Sequence, residues 1–477
     1  MWKRVVFVLA ALLMGIGALP SSVSAANVVS KVKAAPGDRV VSVSWSKASM
    51  TGHAVAGYSL QGRAKGAATW SAKSLSAATS TFTWTGLKNG TTYEFRVVAR
   101  FVGTTTTLAS VAVAGVPRTV WTAVSAGGID TCGINSFKEV WCWGDDQHGQ
   151  LGHGVAGPNT SKPAKIALPA PATAVSVGAW HACALLTDAT VACWGDNSQA
   201  QLGRGTSTGT FGAGRVPGLS GIRSITIGSY HTCASSAATT WCWGQNSFGQ
   251  IGAPASGVPT ASPLQVPATA DGRLVVADAG SANTCGLTAV GSAWCWGYGG
   301  NGRNGNGSTS DFPTPQRVAG LLGGVSVPAI SATHACVLAY GQIGCWGSGQ
   351  LGELAIASLP ASVTMPAVPD IAVPSMSVVD TGGGYTCGIA TTGKVWCFGF
   401  NGFGQQGMLD TNITERPHPV VLPATFSATR LSVGDDHACT IDTSGGMWCW
   451  GRNISGESGA ASLFTETVVP LAITRSV

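Results

Sequence analysis

The stretch from Thr131 to Gly152, TCGINSFKEVWCWGDDQHGQLG, contains the unit that the rest of the chain repeats. It holds two cysteines, a Trp-Gly pair and a Gly-Gln-Leu-Gly loop, and degraded copies of it follow until the chain ends. The copies contain all 14 cysteines, in the pairs Cys132 and Cys142, Cys183 and Cys193, Cys233 and Cys242, Cys285 and Cys295, Cys336 and Cys345, Cys387 and Cys397, and Cys439 and Cys449. The fold of most of the chain must therefore follow from this one unit.

The composition indicates many short strands rather than long amphipathic helices. Of the 477 residues, 10% are charged and 66 are glycine, and the apolar residues form short runs rich in Val, Ala, Trp and Leu. Short apolar runs between turn residues are typical of β-proteins. The net charge of +6 is spread thinly, with no basic run beyond Lys3-Arg4, so we expect no nucleic-acid partner.

Residues 1–26 have the composition of a cleavable secretory signal. Lys3 and Arg4 precede an apolar core from Val5 to Leu19, and small residues ending near Ala25 follow. This core is short for a membrane span, so we expect no stable membrane span in the mature chain, although an uncleaved anchor is the alternative. We therefore predict a protein that is secreted or held in the cell envelope or periplasm, where an oxidising environment favours disulfides.

Residues 27–117 contain no cysteine, and they alternate apolar with polar positions, as in Val40–Trp45 and Tyr93–Ala99. Alternation interrupted by turn residues about every 8 to 12 positions predicts a small antiparallel β-sandwich. The segment LKNGTTYEFRV, from Leu87 to Val97, and the position of Trp45 resemble the fibronectin type III signature. The resemblance implies a spacer or adhesive module, with sugar binding as the alternative.

The copies fill residues 119–477, and successive first cysteines are 50 to 52 residues apart. A fixed period of about 50 residues with four strand signals per unit is typical of a β-propeller, in which each unit is one blade. The order Gly, His-x-Cys and Trp-Gly-x-Asn-x-x-Gly-Gln-Leu-Gly resembles the repeat of the regulator of chromosome condensation family, which forms a seven-bladed propeller. We thus predict an all-β protein in which a small β-sandwich is followed by a seven-bladed β-propeller with one intrablade disulfide per blade.

The Trp-Gly pair recurs in every copy, with Phe in place of Trp once. We interpret the aromatic side chain as a joint between blades and the glycine as a turn that a Cβ would obstruct. The last tail, Val468 to Ile473, is similar to the segments that end other units, such as Lys162 to Leu168. Because the first unit lacks a leading segment of this kind, we predict that the C-terminal strand completes the first blade and closes the ring.

The spacing of the cysteines predicts disulfides. Nine or ten positions separate the two cysteines of each copy, with a turn between them. Two antiparallel strands joined by such a turn place the cysteines opposite each other, within the range that a disulfide spans. The rival is a zinc site that uses the cysteines and nearby histidines, but zinc motifs place cysteines about two to four residues apart and no Cys-x-x-Cys occurs. We therefore predict seven disulfides, no metal and no cofactor.

No catalytic residue is nominated, so we predict that the chain is not an enzyme. Four copies have a histidine at one shared position, namely His181, His231, His334 and His437. Asp130, Asn283 and Tyr385 take that position in the other copies, so we interpret it as a hydrogen-bonded structural position. The 21 acidic residues are scattered and no unpaired thiol remains. In the fifth copy, Ser331 replaces the usual Gly and Gly344 the usual aromatic residue, which predicts the most irregular blade.

These features favour an exported, non-enzymatic scaffold that binds an extracellular or envelope protein through one propeller face or rim. Trp180 and Tyr230 occupy the same loop position in adjacent copies and Asp436 the equivalent place in the last, so they form the possible partner-binding face. Packing between blades is the alternative for the aromatic residues.

Two other functions are weaker alternatives. The resemblance implies nucleotide exchange on a small GTPase, as in the founding member of the family, but that protein uses a wedge inserted in one blade. Here the gaps between copies are nearly uniform at 40 to 43 residues. Polysaccharide binding as an accessory module is supported by the fibronectin-like domain alone. We expect a monomer.

Overall fold

The structure is a computed structural model that describes residues 29–321, 323–339, 341–408, 414–460 and 467–473. The predicted signal, residues 1–26, lies outside the described residues. The described chain forms two compact units, the first mainly of Val40–Leu87 and Thr91–Val116 and the second mainly of the residues from Pro117 onward. No helix within these described ranges is long and apolar enough to cross a membrane.

The first unit is a β-sandwich. Its strands are β1 (Lys33–Gly37), β2 (Val40–Ser44), β3 (Val55–Ala64), β4 (Ser71–Leu75), β5 (Thr81–Trp84), β6 (Tyr93–Phe101), β7 (Thr107–Ala109) and β8 (Val113–Gly115). One sheet has the order β1-β2-β5, and the other has the order β4-β3-β6-β7 with β8 also paired to β6. The core contains Trp45, whose ring packs edge-on against Tyr58 with 5.5 Å between centroids. Alternating apolar residues thus face inward, as the sequence predicted.

The second unit consists of seven four-stranded sheets, each an antiparallel meander in chain order. Blades 1 to 3 contain β9 (Trp121–Ala126), β10 (Asp130–Asn135), β11 (Val140–Gly144), β12 (Thr160–Lys165), β13 (Ala172–Val177), β14 (His181–Leu186), β15 (Val191–Asp196), β16 (Thr210–Arg215), β17 (Ile222–Ile227), β18 (His231–Ser236), β19 (Thr240–Gly244) and β20 (Thr260–Gln265). Blades 4 and 5 contain β21 (Leu274–Ala279), β22 (Asn283–Thr288), β23 (Ala293–Gly297), β24 (Phe312–Arg317), β25 (Ala329–Ile330), β26 (His334–Ala339), β27 (Gln342–Gly347) and β28 (Val363–Ala367), with a 3₁₀ helix (Gly300–Gly302) between β23 and β24. Blades 6 and 7 contain β29 (Met376–Thr381), β30 (Tyr385–Ala390), β31 (Val395–Gly399), β32 (Thr414–Pro419), β33 (Ala428–Val433), β34 (His437–Asp442), β35 (Met447–Gly451) and β36 (Thr467–Ala472). This is the predicted seven-bladed propeller.

The seven predicted disulfides are confirmed. Each one joins the second and third strands of a blade, where the cysteines are directly paired, as Cys132 and Cys142 are in blade 1. The same pairing holds in the other six blades, and no cysteine is free. All 14 cysteine side chains are completely buried. The cysteines are therefore covalent staples inside each blade and are not ligands for zinc.

The prediction that the C-terminal strand completes the first blade is wrong. β36 pairs with β35 of its own blade, with Leu471 opposite Cys449, and blade 1 begins with its own strand β9. The tail resembles the segments that end other units because it is the outer strand of blade 7, and every unit contributes its own four strands. Blades 7 and 1 are joined by hydrogen bonds between the two blades instead, for example from Trp121 N to the Gly445 carbonyl at 2.8 Å and from Ala126 N to the Ser432 hydroxyl at 2.9 Å.

The aromatic residue of the Trp-Gly pair forms a joint between blades, as predicted. Trp143 is completely buried, and its indole N–H donates to the Glu457 carbonyl of blade 7 at 3.0 Å. Equivalent bonds to the preceding blade run from Trp194 to Gln150, Trp243 to Gln201, Trp296 to Gln250, Trp346 to Arg303 and Trp450 to Gln405. Phe398 has no N–H, but the Glu353 carbonyl still accepts from the Thr386 hydroxyl at 2.7 Å, as the corresponding carbonyls of three other blades accept from a threonine in addition to the indole.

Blade 5 is irregular, as the substitutions in its sequence predicted. Its first strand, β25, has 2 residues, whereas the first strands of the other blades have 6. Ser331, which replaces the usual glycine, donates its hydroxyl to the His334 carbonyl at 3.1 Å. The shortened strand leaves this blade with fewer ladder hydrogen bonds along the central axis.

Candidate functional site

The loops that follow the first and third strands of each blade lie at the same end of the propeller, because the strands alternate in direction. We call this end the upper face and the opposite end the lower face. The first strands surround a central cavity of about 160 Å³, whose lining includes Gly128, Ala179, Ser229 and Asp435. This cavity is smaller than the roughly 300–1,000 Å³ of drug-sized ligand pockets.

Side chains at one position of the first strand connect neighbouring blades around the central cavity. Each accepts a hydrogen bond from a backbone N–H of the next blade at 2.9 to 3.1 Å. The pairs are Ser125 with Val177, Thr226 with Ala279, Asp278 with Ile330, Asp380 with Val433 and Ser432 with Ala126. These polar residues therefore hold the blades together, and their hydrogen-bonding capacity is used within the protein.

Acidic residues in this cavity retain protons more strongly than usual. Burial raises the pKa of the Asp380 carboxyl to about 7, and the nearby Asp278 adds to the rise. Burial also raises the pKa of Asp278, and it raises that of Asp435 to about 6. The Asp435 side chain is exposed to solvent, but it lines the central cavity. The surrounding protein therefore replaces much of the water around its carboxyl group. The folded state therefore holds protons on these groups that the unfolded chain releases.

We expect Asp380→Asn to gain stability relative to the wild type as the pH rises from about 4 to about 7. The unfolded chain releases this proton near the ordinary pKa of 3.8, whereas the folded protein holds it up to about 7. The wild-type carboxyl therefore destabilises the fold increasingly across this interval, and an amide does not titrate. Melting temperatures across the interval test this, with the exposed Asp370→Asn as control. Parallel pH profiles for wild type and Asp380→Asn would contradict the prediction.

The shared histidine position is structural, as predicted. Each histidine is buried, and its Nε2 lies 2.6 to 2.9 Å from a threonine hydroxyl of the next blade: His181 from Thr232, His231 from Thr284, His334 from Thr386 and His437 from Thr131. Each of these hydroxyls itself donates to a backbone carbonyl, so the histidine Nε2 carries a proton and donates. Burial lowers the pKa of these histidines to about 3 or 4, so they are neutral at pH 7.

The histidine and the threonine occur together. Where a blade has Asp130, Asn283 or Tyr385 instead of histidine, the next blade has alanine at the threonine position, namely Ala182, Ala335 and Ala438. Tyr385 fills the space with its ring and donates to the His437 carbonyl at 2.7 Å. Asp130 is completely buried, its two carboxylate oxygens have no hydrogen-bond partner among the described residues, and burial raises its pKa well above the usual value.

Trp180 and Tyr230 meet on the upper face. Their rings are edge to face, with 5.2 Å between centroids, and both are partly exposed. His148, from the loop after the third strand of blade 1, stacks on Trp180 at 4.4 Å with an interplanar angle of 6°. We call these three residues the aromatic cluster. Its members pack against each other across blade boundaries and still present surface to solvent.

Asp436 takes part in a different set of contacts. It forms an ion pair with Arg452, with 3.1 Å between Nη1 and Oδ2, and it accepts a hydrogen bond from Gln405 at 3.4 Å. The Arg452 guanidinium also lies 5.7 Å from the centre of the Phe403 ring. The structure thus brings Trp180 and Tyr230 together, whereas Asp436 stabilises the loops of blades 6 and 7.

Sequence reasoning missed the contribution of the loop after the third strand. Besides His148, this loop supplies Phe248 and Tyr298, whose rings are 4.9 Å apart, and the Arg303 guanidinium lies 4.8 Å from the Tyr298 ring. The signal in the sequence is variability. The residue two places before the recurring Gln, which is Arg or Glu in three copies, is His, Gln, Phe, Asn, Leu, Phe or Ser in successive copies. Positions that vary within a constant frame are candidates for recognition.

Comparison with protein-family models supports both units of the fold. A model for the regulator of chromosome condensation (RCC1) repeat matches residues 139–185, and a second model for that repeat matches residues 172–201 and 428–457. The fibronectin type III domain model matches residues 28–112.

Two plant proteins and one solved human structure show how far the similarity extends. The ultraviolet-B receptor UVR8 of Arabidopsis thaliana is 28% identical over 64% of this chain and 69% of its own length. The mitochondrial RCC1 domain-containing protein RUG3 of the same plant is 33% identical over 37% of this chain, but the match spans only 41% of RUG3. Human WBSCR16 is similar in fold with a TM-score of 0.63 at 20% identity, covering 70% of this chain and 94% of that one.

Yeast RCC1 (Prp20), in a structure with Kap60, has a TM-score of 0.61 at 18% identity, covering 74% of this chain and 85% of that one. At this level of identity the match shows the fold alone. Together with the family models and the strand order of the blades, it identifies the architecture. The chain therefore carries regulator of chromosome condensation repeats, folded into a seven-bladed propeller, and a fibronectin type III domain before them.

Proposed function

We propose that this protein is an exported, non-enzymatic scaffold that binds a partner protein with the upper face of its propeller. The observation that carries the proposal is the aromatic cluster of His148, Trp180 and Tyr230, which joins three blades into one partly exposed surface. Large aromatic side chains contribute much contact area and lose little conformational entropy on binding, which is why they dominate binding hot spots.

The framework beneath the cluster favours a rigid recognition surface. The residue that follows Trp180 is His181, whose buried Nε2 donates to Thr232, and the residue that follows Tyr230 is His231, whose Nε2 donates to Thr284. Each aromatic residue is therefore anchored by a buried side chain next to it in the chain. A surface that is ordered before binding loses less entropy when the partner docks.

Relatives of this fold include proteins that bind other proteins. One solved structure shows yeast RCC1 (Prp20) bound to Kap60, and another concerns the binding of Prp20p to Gsp1p and histones. The RCC1-like G exchanging factor-like protein of Mus musculus is 28% identical, over 44% of its own length. In E3 ubiquitin-protein ligase HERC2 of Homo sapiens, the match spans 7% of the protein. The binding recorded for Prp20 supports protein binding as the function proposed here, and nucleotide exchange stays the weaker alternative for this chain.

Export is supported by the disulfides. Seven buried disulfides are consistent with an extracellular or otherwise oxidising compartment, since cytosolic thiols are kept reduced. The secretory signal predicted for residues 1–26 agrees with this location, and we propose that the mature chain functions at the cell envelope or outside the cell.

The double variant Trp180→Ala/Tyr230→Ala is expected to lose capture of the partner at least tenfold, which corresponds to about 1.4 kcal/mol of binding free energy. Partner proteins are captured from the medium and the cell envelope of the source organism with the wild-type protein as bait. Binding of the captured protein is then measured with purified components by surface plasmon resonance. Phe137→Ala is the matched control, because Phe137 is an aromatic side chain that is 47% exposed on a lower-face turn.

Two results would count against the proposal. Equal binding by the double variant and by Phe137→Ala would show that the aromatic cluster is not the docking surface. Binding to polysaccharides on a glycan array, lost in the double variant and without any protein partner, would favour the polysaccharide-binding alternative.

A further inference from the structure

One position in the third strand distinguishes blade 5 from its neighbours. The residue before the second cysteine is a tryptophan in most blades, namely Trp141, Trp241, Trp294, Trp396 and Trp448. In four of these blades, all except blade 6, the side chain packs against the preceding blade, as Trp294 does against the core around Cys233 and Cys242. Blade 2 has Ala192 at this position and blade 5 has Gly344.

The residue across the strand pair is adapted to the tryptophan. Opposite it lie small residues in four blades, Gly133, Ala234, Gly286 and Gly388, and a threonine, Thr440, in blade 7. In blade 5 the order is inverted, because Val337 lies opposite Gly344. The valine fills part of the space that the indole takes elsewhere, but its side chain is much smaller.

Blades 2 and 5 lack the tryptophan, and they differ in whether other side chains fill the space that the indole occupies in the other blades. Ala192 is completely buried, and Leu168 and Ala170 pack against the core that contains it. In blade 5 an open cavity of about 260 Å³ remains, with a lining that includes Leu321, Val325, Val337, Gly344, Pro366 and Val368. A Cβ placed on Gly344 would have its nearest neighbours at 3.8 Å, so the site has room for a side chain.

A second cavity adjoins the first on the lower face. It has a volume of about 370 Å³, it shares Gln342, Ile343 and Val368 with the first, and Ile371 and Pro374 contribute to its lining. Val368 is 64% exposed at the rim that both cavities share. Asp370, also exposed, is the acidic residue among those that line the two cavities. We call the two cavities together the blade 5 notch.

We propose that the blade 5 notch is a second interaction site, which accepts an aromatic side chain, with a basic residue beside it, from an extended segment of a partner protein. The occupant is indicated by the chain itself, since five other blades have a tryptophan at this position and four of these indoles pack against the preceding blade. The first cavity is below the size of a drug-sized ligand pocket, so it suits one side chain. Asp370 at the edge of the second cavity favours a positive charge next to the aromatic residue. The notch is on the lower face, so this inference is independent of the proposed function.

The substitution Gly344→Trp tests the proposal because it supplies the missing indole from within the blade. The probes are the capped peptides 5-fluoro-Trp-Ala-Lys and 5-fluoro-Trp-Ala-Glu, observed by ¹⁹F NMR with the full chain. We expect the wild type to broaden and shift the resonance of the Lys peptide more than that of the Glu peptide. We expect Gly344→Trp to abolish this effect and to raise the melting temperature, because the cavity is filled.

Two further variants keep the test decisive. If Gly344→Trp does not fold, Val337→Gly/Gly344→Trp restores the glycine-tryptophan pair of blade 4 and is used in its place. Val368→Lys places a positive charge at the rim and is expected to weaken binding of the Lys peptide at least fivefold. Val258→Lys is the control, because Val258 is 74% exposed and lies outside both cavities, and it should leave binding of the Lys peptide unchanged. No response of the wild type to either peptide, or an undiminished response with the notch filled, would overturn the proposal.

Discussion

Trp143→Ala is expected to lower the free energy of unfolding of the propeller by about 3–5 kcal/mol. The substitution removes a completely buried indole whose ring packs on Trp121 with 6.0 Å between centroids. It also removes the hydrogen bond to the Glu457 carbonyl across the boundary between blades 7 and 1. That boundary is the one at which the two neighbouring blades are not consecutive in the chain. Chemical denaturation followed by circular dichroism gives the measurement.

A graded pair of variants separates packing from hydrogen bonding at this joint. Trp143→Phe keeps an aromatic ring, as blade 6 does with Phe398, and leaves the Glu457 carbonyl with the Thr131 hydroxyl as its donor. We expect it to cost about 1–2 kcal/mol, less than the alanine variant. Trp70→Ala in the first unit is the control and should leave the propeller transition in place. A loss below about 1 kcal/mol for Trp143→Ala would mean that the joint contributes no more than an average side chain.

Removal of a single disulfide is expected to have the next largest effect. We expect Cys285→Ala/Cys295→Ala to lower the free energy of unfolding by about 2–3 kcal/mol, since a covalent link between residues 10 apart restricts the unfolded chain. Both sulfurs are completely buried, so reductant should reach them only after the blade unfolds. Equilibrium denaturation of oxidised wild type and variant measures the cost.

Thiol labelling provides the matching chemical test. Without reductant, denatured wild-type protein should incorporate almost no alkylating reagent, and with reductant it should take up label at all 14 cysteines. The native protein treated with reductant should be labelled at the rate of unfolding. Rapid labelling of the native protein would contradict the protection that burial implies.

The repeat itself predicted most of the fold. The period, the paired cysteines and the Trp-Gly pair each have one physical meaning within a blade, and the structure confirms the disulfides and the joints. The error concerned the phase of the repeat. A repeating sequence can be divided into units at any point, and only strand pairing shows that Trp121–Ala126 begins the first blade and Thr467–Ala472 ends the last.

The candidate site was predicted only in part, because it is formed by loops from different blades. That Trp180 and Tyr230 share a loop position is visible in the sequence, but the stacking of His148 on Trp180 depends on how two kinds of loop converge. Asp436 is aligned with Trp180, yet its ion pair with Arg452 comes from another loop. Likewise, the sequence marks Gly344 as unusual, but the open cavity beside it depends on the linkers that leave the space unfilled.

The placement of the disulfides within single hairpins has a consequence for oxidative folding. Each cysteine pairs with the cysteine 9 or 10 residues away, whereas the next unit begins 40 to 43 residues farther along the chain. The entropic cost of closing a loop increases with the length of the loop. Because the native pairs close the shortest loops, the native pairing is also the kinetically favoured one for every cysteine. Each blade can therefore complete its own disulfide as soon as its hairpin has been synthesised, before its neighbours exist, and a chain with 14 cysteines avoids most of the mispairing that such a number allows.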